Sequence, residues 1–124
     1  MLVRPSHLLM TAMKVLIVDD NAKVRELVRD HLPVSAGEVF ECADGDEAVD
    51  FYKMHRPDWV LMDQEMSRID GITAIRDIIA EFPEANICMV TAFDDEHLRR
   101  EALMAGASGF VLKDNLFELE TILQ

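Results

Sequence analysis

The chain has 124 residues, half of them hydrophobic and 29% charged. That length and composition fit one globular domain with little room for a second, and the composition is not that of a disordered chain. Acidic residues number 24 and basic ones 12, a formal net charge of −12, which argues against nonspecific binding to DNA, RNA or an anionic membrane, because those need basic patches. No apolar run reaches the ~18 residues of a bilayer span, and Pro5, His7 and Thr11 interrupt the short apolar N-terminus, so neither a membrane helix nor a signal peptide is expected. Cys42 and Cys88 lie far apart with no CxxC spacing and read as buried thiols in a reducing cytoplasm.

Five short apolar runs alternate with helical patterns. Residues 14–19 (KVLIVD) predict the first strand. Behind Asp20 and Asn21, either of which suits an N-cap, Val24, Leu27, Val28 and Leu32 recur at helical spacing. Residues 38–43 (EVFECA) form the second run, with Glu38 and Glu41 giving it the polarity of a sheet edge. Ala48, Phe51 and Tyr52 mark a helix behind Asp44 and Asp46. Residues 58–63 (DWVLMD) are the third run, followed by a helix carrying Ile72, Ile75, Ile79 and Phe82 and ended by Pro83. Residues 86–91 (NICMVT) are the fourth, and Leu98, Ala102 and Ala105 mark the helix that Gly106 stops. Residues 109–113 (GFVLK) are the fifth, and Leu116, Leu119 and Leu123 predict a short last helix. The near-continuous apolarity of the first, third and fourth runs suits strands covered on both faces.

Alternating strands and helices predict an α/β fold: a five-stranded parallel, doubly wound sheet of flavodoxin-like order 2-1-3-4-5, with helices on both faces. In such a sheet, ligands bind beyond the carboxyl ends of the strands, here between the first and third. The residues at those ends are Asp19 and Asp20, Asp63, Thr91 and Lys113. Taken singly, each is unremarkable; Asp20 alone is an ordinary cap and Thr91 an ordinary strand residue. Together they place three carboxylates, a hydroxyl and an ammonium around one crevice. Two carboxylates ~4 Å apart repel by about 4 kcal/mol at an effective dielectric of 20, so three of them call for a hard cation, and Mg²⁺ with its oxygen ligands fits. A carboxylate beside Mg²⁺, Lys and a hydroxyl is equipped to attack a phosphoryl group. His7, His31, His55 and His97 lack metal-ligand spacing.

These residues, with VLIVDD (15–20), ADGDEAV (43–49), DWVLMDQEMSRIDG (58–71), MVTAF (89–93) and AGASGFVLKD (105–114), resemble the receiver domain of bacterial two-component response regulators. The resemblance spans 14–124 and leaves 1–13 as an N-terminal tail, expected to be disordered. It implies a phosphorylation-dependent switch of a phosphorelay. Asp63 matches the phospho-acceptor for a sensor histidine kinase or phosphotransfer protein. Asp20 and Asp63 match the direct Mg²⁺ ligands, Asp19 a ligand through water, and Glu65 the residue whose backbone carbonyl completes the metal site. Thr91 matches the hydroxyl that binds the phosphoryl oxygen, Lys113 its cation, and Phe110 the aromatic switch that turns inward when Thr91 moves. The chain would catalyse its own phosphorylation and dephosphorylation without a separate turnover substrate. A homodimer on phosphorylation and a cytoplasmic location are further expectations; direct nucleic-acid binding and membrane association are not expected.

The chain departs from the pattern at Met66-Ser67, where the family usually has Met-Pro; Ser67 lacks the fixed φ of proline and leaves the metal loop more mobile. The Glu65 side chain stands where the family tunes phosphoryl lifetime, and its charge either repels the phosphoryl group or reaches the metal. Met13 directly precedes the pattern, giving the expectation that translation starts there. The chain is either a stand-alone receiver or a piece of a longer regulator. The alternative function is a receiver-like interaction module that works without phosphorylation. An aspartyl phosphatase of the haloacid-dehalogenase type fits poorly, because Asp19 is followed by Asp20, Asn21 and Ala22 without the required second acid, and a flavin carrier fits poorly because its phosphate loop would be acidic.

Overall fold

Each strand alternates its side chains between two apolar layers. The computed structural model of the protein describes residues 12–124. The element order is β1 (Met13–Val18), α1 (Ala22–Asp30), β2 (Ala36–Cys42), α2 (Gly45–His55), β3 (Trp59–Met62), α3 (Gly71–Glu81), β4 (Ile87–Thr91), α4 (Glu96–Ala105) and β5 (Gly109–Leu112). A 3₁₀ segment (Lys113–Glu118) then leads into a single-turn α5 (Leu119–Ile122). The strands form one parallel sheet in the order β2-β1-β3-β4-β5, with β2 at an edge.

Leu16, Val18, Val60, Met62, Ile87 and Met89 point to the layer filled by Ala48 and Tyr52 of α2, Ile72, Ile75 and Ile78 of α3, and Leu98 and Ala102 of α4. The alternate residues Val15, Ile17, Leu61, Cys88, Val90 and Val111 face Val28 of α1 and Leu116, Leu119 and Leu123. Three helices therefore cover one face, and α1 with the C-terminal segment covers the other. Burial on both faces explains why β1, β3 and β4 read as apolar runs rather than as alternations.

Short polar side chains start the four longer helices. Asn21 accepts from the amides of Lys23 and Val24, Asp70 from Thr73 and Asp95 from His97, while Asp44 accepts from Gly45. Each satisfies backbone donors that lack a helical partner. Gly106 ends α4 at φ 115°, a left-handed conformation open to glycine at little cost.

The structure differs from the sequence reading at two places. Leu27, expected on the buried stripe of α1, is 48% exposed, because that helix meets the sheet on a narrow line through Val28. The last helix is mostly 3₁₀ with a break at Asn115, yet Leu119 and Leu123 are fully buried, so the apolar spacing holds while the winding does not. Of the expected N-terminal tail, residues 1–11 lie outside the described residues, and Met13 opens β1.

Candidate functional site

The carboxyl ends of β1 and β3 lie side by side. Val18 is in register with Met62, and each strand continues into an aspartate. The Asp63 amide donates to the Val18 carbonyl at 2.9 Å, and the Asp19 amide to the Cys42 carbonyl at 3.1 Å. The sheet ladder thus runs one residue past the strands and fixes both backbones. Asp19, Asp20 and Asp63 each bring a carboxylate oxygen to within 4.8 Å of the others. Asp19 and Asp63 are buried, whereas Asp20 is exposed.

Lys113, the first residue after β5, closes the group. Its Nζ lies 2.9 Å from Asp19 Oδ2 and 3.0 Å from Asp63 Oδ1. Burial pushes the Asp63 carboxyl above its ordinary range; Lys113 opposes that shift and the Asp19 charge adds to it. Burial disfavours the Lys113 ammonium, but the bonds to Asp19 and Asp63 outweigh that and hold its pKa above the ordinary value. One ammonium for three carboxylates leaves the cluster short of positive charge, and its all-oxygen donor set suits a hard divalent cation such as Mg²⁺.

Thr91 ends β4, opposite Leu112 on β5, and is fully buried. Its hydroxyl accepts from the Phe93 amide at 3.1 Å. Phe110, across from Met89, is buried in the layer under α4, with the Arg99 guanidinium 4.5 Å from its ring centre. Glu65 is exposed in the loop after β3, and with Asp20, Gln64, Met66, Ser67 and Asp70 it lines an open cavity of about 690 Å³. The structure therefore gathers Asp19, Asp20, Asp63 and Lys113 into direct proximity. Thr91 sits at the same sheet edge, Glu65 on the rim, and Phe110 one layer beneath.

Four supporting residues escaped the sequence reading. Gln64 accepts from the Ile72 amide at 2.9 Å and closes its loop onto the start of α3. Gly71 lies so close that an added Cβ would overlap the Asp63 carbonyl oxygen, a requirement the Asp70-Gly71 pair could have signalled. Arg25 donates to the Asp19 carbonyl at 2.6 Å while pairing with Glu41 at 2.7 Å, which ties the loop after β1 to the edge strand. Asp44 reads in sequence as a helix cap and no more; its carboxylate also accepts from the Arg68 amide at 2.9 Å.

The model of the response regulator receiver domain matches residues 15–124. Chemotaxis protein CheY of Bacillus subtilis is 38% identical over 114 residues, covering 91% of this chain and 93% of its own. Protein CcdB of the same organism is 40% identical over 104 residues, covering 81% and 84%. Among solved structures, chemotaxis protein CheY4 of Vibrio cholerae superposes with a TM-score of 0.81 at 29% identity, covering 90% of this chain and 96% of that one. A chain of the CheX-CheY-BeF3-Mg+2 complex from Borrelia burgdorferi gives 0.76 at 32%, covering 81% and 77%. Receiver domains bind Mg²⁺ at an acidic pocket and interact with histidine kinases and phosphotransfer proteins. Among the described residues, no helix is long and apolar enough to cross a membrane. A five-stranded sheet of this order, three aspartates and a lysine at its carboxyl edge, and a family match over nearly the whole chain lead to one conclusion: the chain belongs to the receiver domains of two-component response regulators, the phosphorylation-dependent switches of those systems.

Proposed function

We propose that Asp63 is the phospho-acceptor of this receiver, and that Asp19, Asp20, Asp63 and the backbone carbonyl of Glu65 hold Mg²⁺ beside it. The observation that carries this reading is the Lys113 ammonium bridging Asp19 and Asp63, with Asp20 alongside. When bound, the cation would offset charge on the phosphoryl oxygens.

The protein's own groups would do the rest. An Asp63 carboxylate oxygen attacks the phosphorus of a phosphohistidine in line. The P–N bond breaks, its electron pair returns to the imidazole, which then takes up a proton, and an acyl phosphate remains on Asp63. Lys113 pairs with the new dianion through a charge-assisted hydrogen bond, and the Thr91 hydroxyl leaves the Phe93 amide to donate to a phosphoryl oxygen. The displaced Thr91 would open space for the ring of Phe110, which is buried beneath Arg99 here. Phosphorylation would thus shift the population of the face built from α4, β5 and α5. A sensor kinase or phosphotransfer protein would supply the phosphoryl group, and an effector or a second copy of the chain would read that face. Water later cleaves the acyl phosphate.

Intact mass after incubation with Mg²⁺ and acetyl phosphate tests the assignment. One phosphoryl adduct is expected on the wild type, absent from Asp63→Asn and lost on chelation. An adduct that persists in Asp63→Asn overturns the acceptor; no adduct on the wild type, with beryllofluoride also failing to bind, favours an interaction module that works without phosphorylation.

A further inference from the structure

Four polar or charged residues are buried among the described ones. Asp19, Asp63 and Thr91 belong to the site, and the fourth is Asp44. Asp44 stands at the end of the loop after β2, in the turn that begins α2. A helix cap usually spends its carboxylate on the helix it starts. Asp44 instead divides its oxygens between two segments. Oδ1 accepts from the Gly45 amide at 2.7 Å and the Ile69 amide at 3.3 Å, while Oδ2 accepts from the Arg68 amide at 2.9 Å. Burial disfavours its charge, yet these amides outweigh that and hold the carboxyl below its ordinary range.

The segment it grips is the distal half of the loop between β3 and α3. That loop carries Glu65, Met66 and Ser67 along the cavity rim. Ser67 does not lock its own φ as proline would, so the bonds that tie the loop down at its two sides matter more. Gln64 closes the loop onto α3 at one side, and Asp44 fixes Arg68 and Ile69 at the other. The Arg68 side chain adds a second tie to the same helix start, with Nε 2.7 Å from Asp46. The Gly45 backbone also packs so tightly against Ile69 and Ala74 that the two segments meet without slack.

We infer that Asp44 is a positioning residue for the divalent-cation site: by anchoring Arg68 and Ile69 it holds the loop that carries Glu65, which shares a cavity lining with Asp20, beside the cluster of Asp19, Asp20 and Asp63. The inference rests on the receiver-site reading above and extends it to a carboxylate that does not itself touch the cation. Groups hydrogen-bonded directly to a metal ligand typically change metal affinity by roughly 10–100-fold when lost; Asp44 acts one step further out, through Arg68 and Ile69, so the lower end of that range is expected.

The test compares Asp44→Ser and Asp44→Asn with the wild type. Serine keeps a cap for α2, but its hydroxyl stops too short to reach the amides of Arg68 and Ile69; asparagine keeps one acceptor oxygen, enough for Gly45 and Ile69, and turns an NH2 donor toward the Arg68 amide. Two readouts are taken: Mg²⁺ affinity by calorimetry, and hydrogen exchange at Arg68 and Ile69 in metal-free protein. In Asp44→Ser, both amides should exchange at least about 10-fold faster and Mg²⁺ should bind about 10-fold more weakly. Asp44→Asn should keep the Ile69 amide protected while the Arg68 amide exchanges faster, and should bind Mg²⁺ between Asp44→Ser and wild type. Ile78→Val, trimmed in the core about two turns along α3 from the end of the loop, serves as a control for general destabilisation and should bind Mg²⁺ like the wild type. Mg²⁺ binding by Asp44→Ser within twofold of wild type, or an equal loss in Ile78→Val, overturns the positioning role and leaves the site assignment standing. A wild type that binds no Mg²⁺ overturns the site assignment and the inference with it.

Discussion

Replacing the buried Asp63 carboxylate should stabilise the metal-free protein. Asp63 is buried, and its charge faces Asp19 within 4.8 Å, a repulsion of about 3.5 kcal/mol at an effective dielectric of 20. Lys113 at 3.0 Å returns about 5.5 kcal/mol on the same scale. The attraction exceeds the repulsion by about 2 kcal/mol, and the cost of burying the ion itself, several kcal/mol after relaxation, outweighs that difference. The raised pKa of Asp63 has the same origin: burial first, with Lys113 only partly compensating. Asparagine has nearly the same shape and no charge, and Lys113 keeps Asp19 as its partner. Asp63→Asn should therefore gain about 1–2 kcal/mol near neutral pH, a rise in Tm of roughly 4–8 °C for a domain of this size.

Calorimetry in the presence of a chelator measures the difference directly, and pH gives its sign. The folded pKa of Asp63 lies above its ordinary 3.8, so the wild type's deficit is absent below that value and grows as pH rises through the folded pKa. The two variants should converge as pH falls toward 4. Added Mg²⁺ should reverse the order, because a ligand at 100 times its Kd stabilises the protein that binds it by about 2.7 kcal/mol, and Asp63→Asn has lost a charged ligand. An Asp63→Asn protein less stable than wild type with chelator, or raised equally by Mg²⁺, would show that this cluster is not an electrostatically strained cation site.

Gly71→Ala should cost about 1–3 kcal/mol, read as a lower urea midpoint at unchanged m, because its Cβ would force the backbone away from the Asp63 carbonyl. Glu41→Gln should cost about 0.5–1 kcal/mol near neutral pH by weakening the pairs with Arg25 and Arg29. Hydrogen bonds from Arg29 and then Arg25 hold the Glu41 pKa below 4.5, so that contribution is present above 4.5 and lost as pH falls through the folded value; the Tm gap between Glu41→Gln and wild type should close in acid. Arg99→Gln should release about 0.5–1 kcal/mol of hold on the Phe110 ring, seen as new ring conformers by NMR. Burial raises the thiols of Cys42 and Cys88 to about 11 and about 12, so neither should be alkylated at pH 8 until the protein unfolds.

What the sequence disclosed follows from the range over which each signal acts. Strand runs and helix stripes are set by neighbours within one element, so the sheet order, the cap at Asn21 and the helix start behind Asp44 were within reach of periodicity and cap chemistry, whereas the caps at Asp70 and Asp95 emerged only in the structure. The proximity of Asp19, Asp20, Asp63 and Lys113 was legible at one remove: a parallel sheet places all its carboxyl ends on one edge, so strand-end residues meet whatever their separation in the chain. Leu27 misled because spacing alone does not say how wide a buried stripe the sheet allows. The 3₁₀ winding at the C-terminus was hidden because Leu116, Leu119 and Leu123 satisfy either helix when only one side is buried.

Asp44 marks where local reasoning stops. Its sequence neighbourhood gives a complete account of it as a cap, so nothing prompts a search for a second role. The bonds to Arg68 and Ile69 span 24 and 25 residues and join two loops whose relative position depends on how α2 and α3 pack. The same holds for Arg25, which looks like a surface cation on α1 until the fold places its guanidinium on the Asp19 carbonyl. The charged groups that would touch phosphate and metal announce themselves by residue type at strand ends. The groups that aim them are ordinary polar residues, and only their third-dimensional partners separate them from solvated surface. A receiver with its five chemical residues intact can therefore still differ in metal affinity through side chains such as Asp44 that never reach the metal.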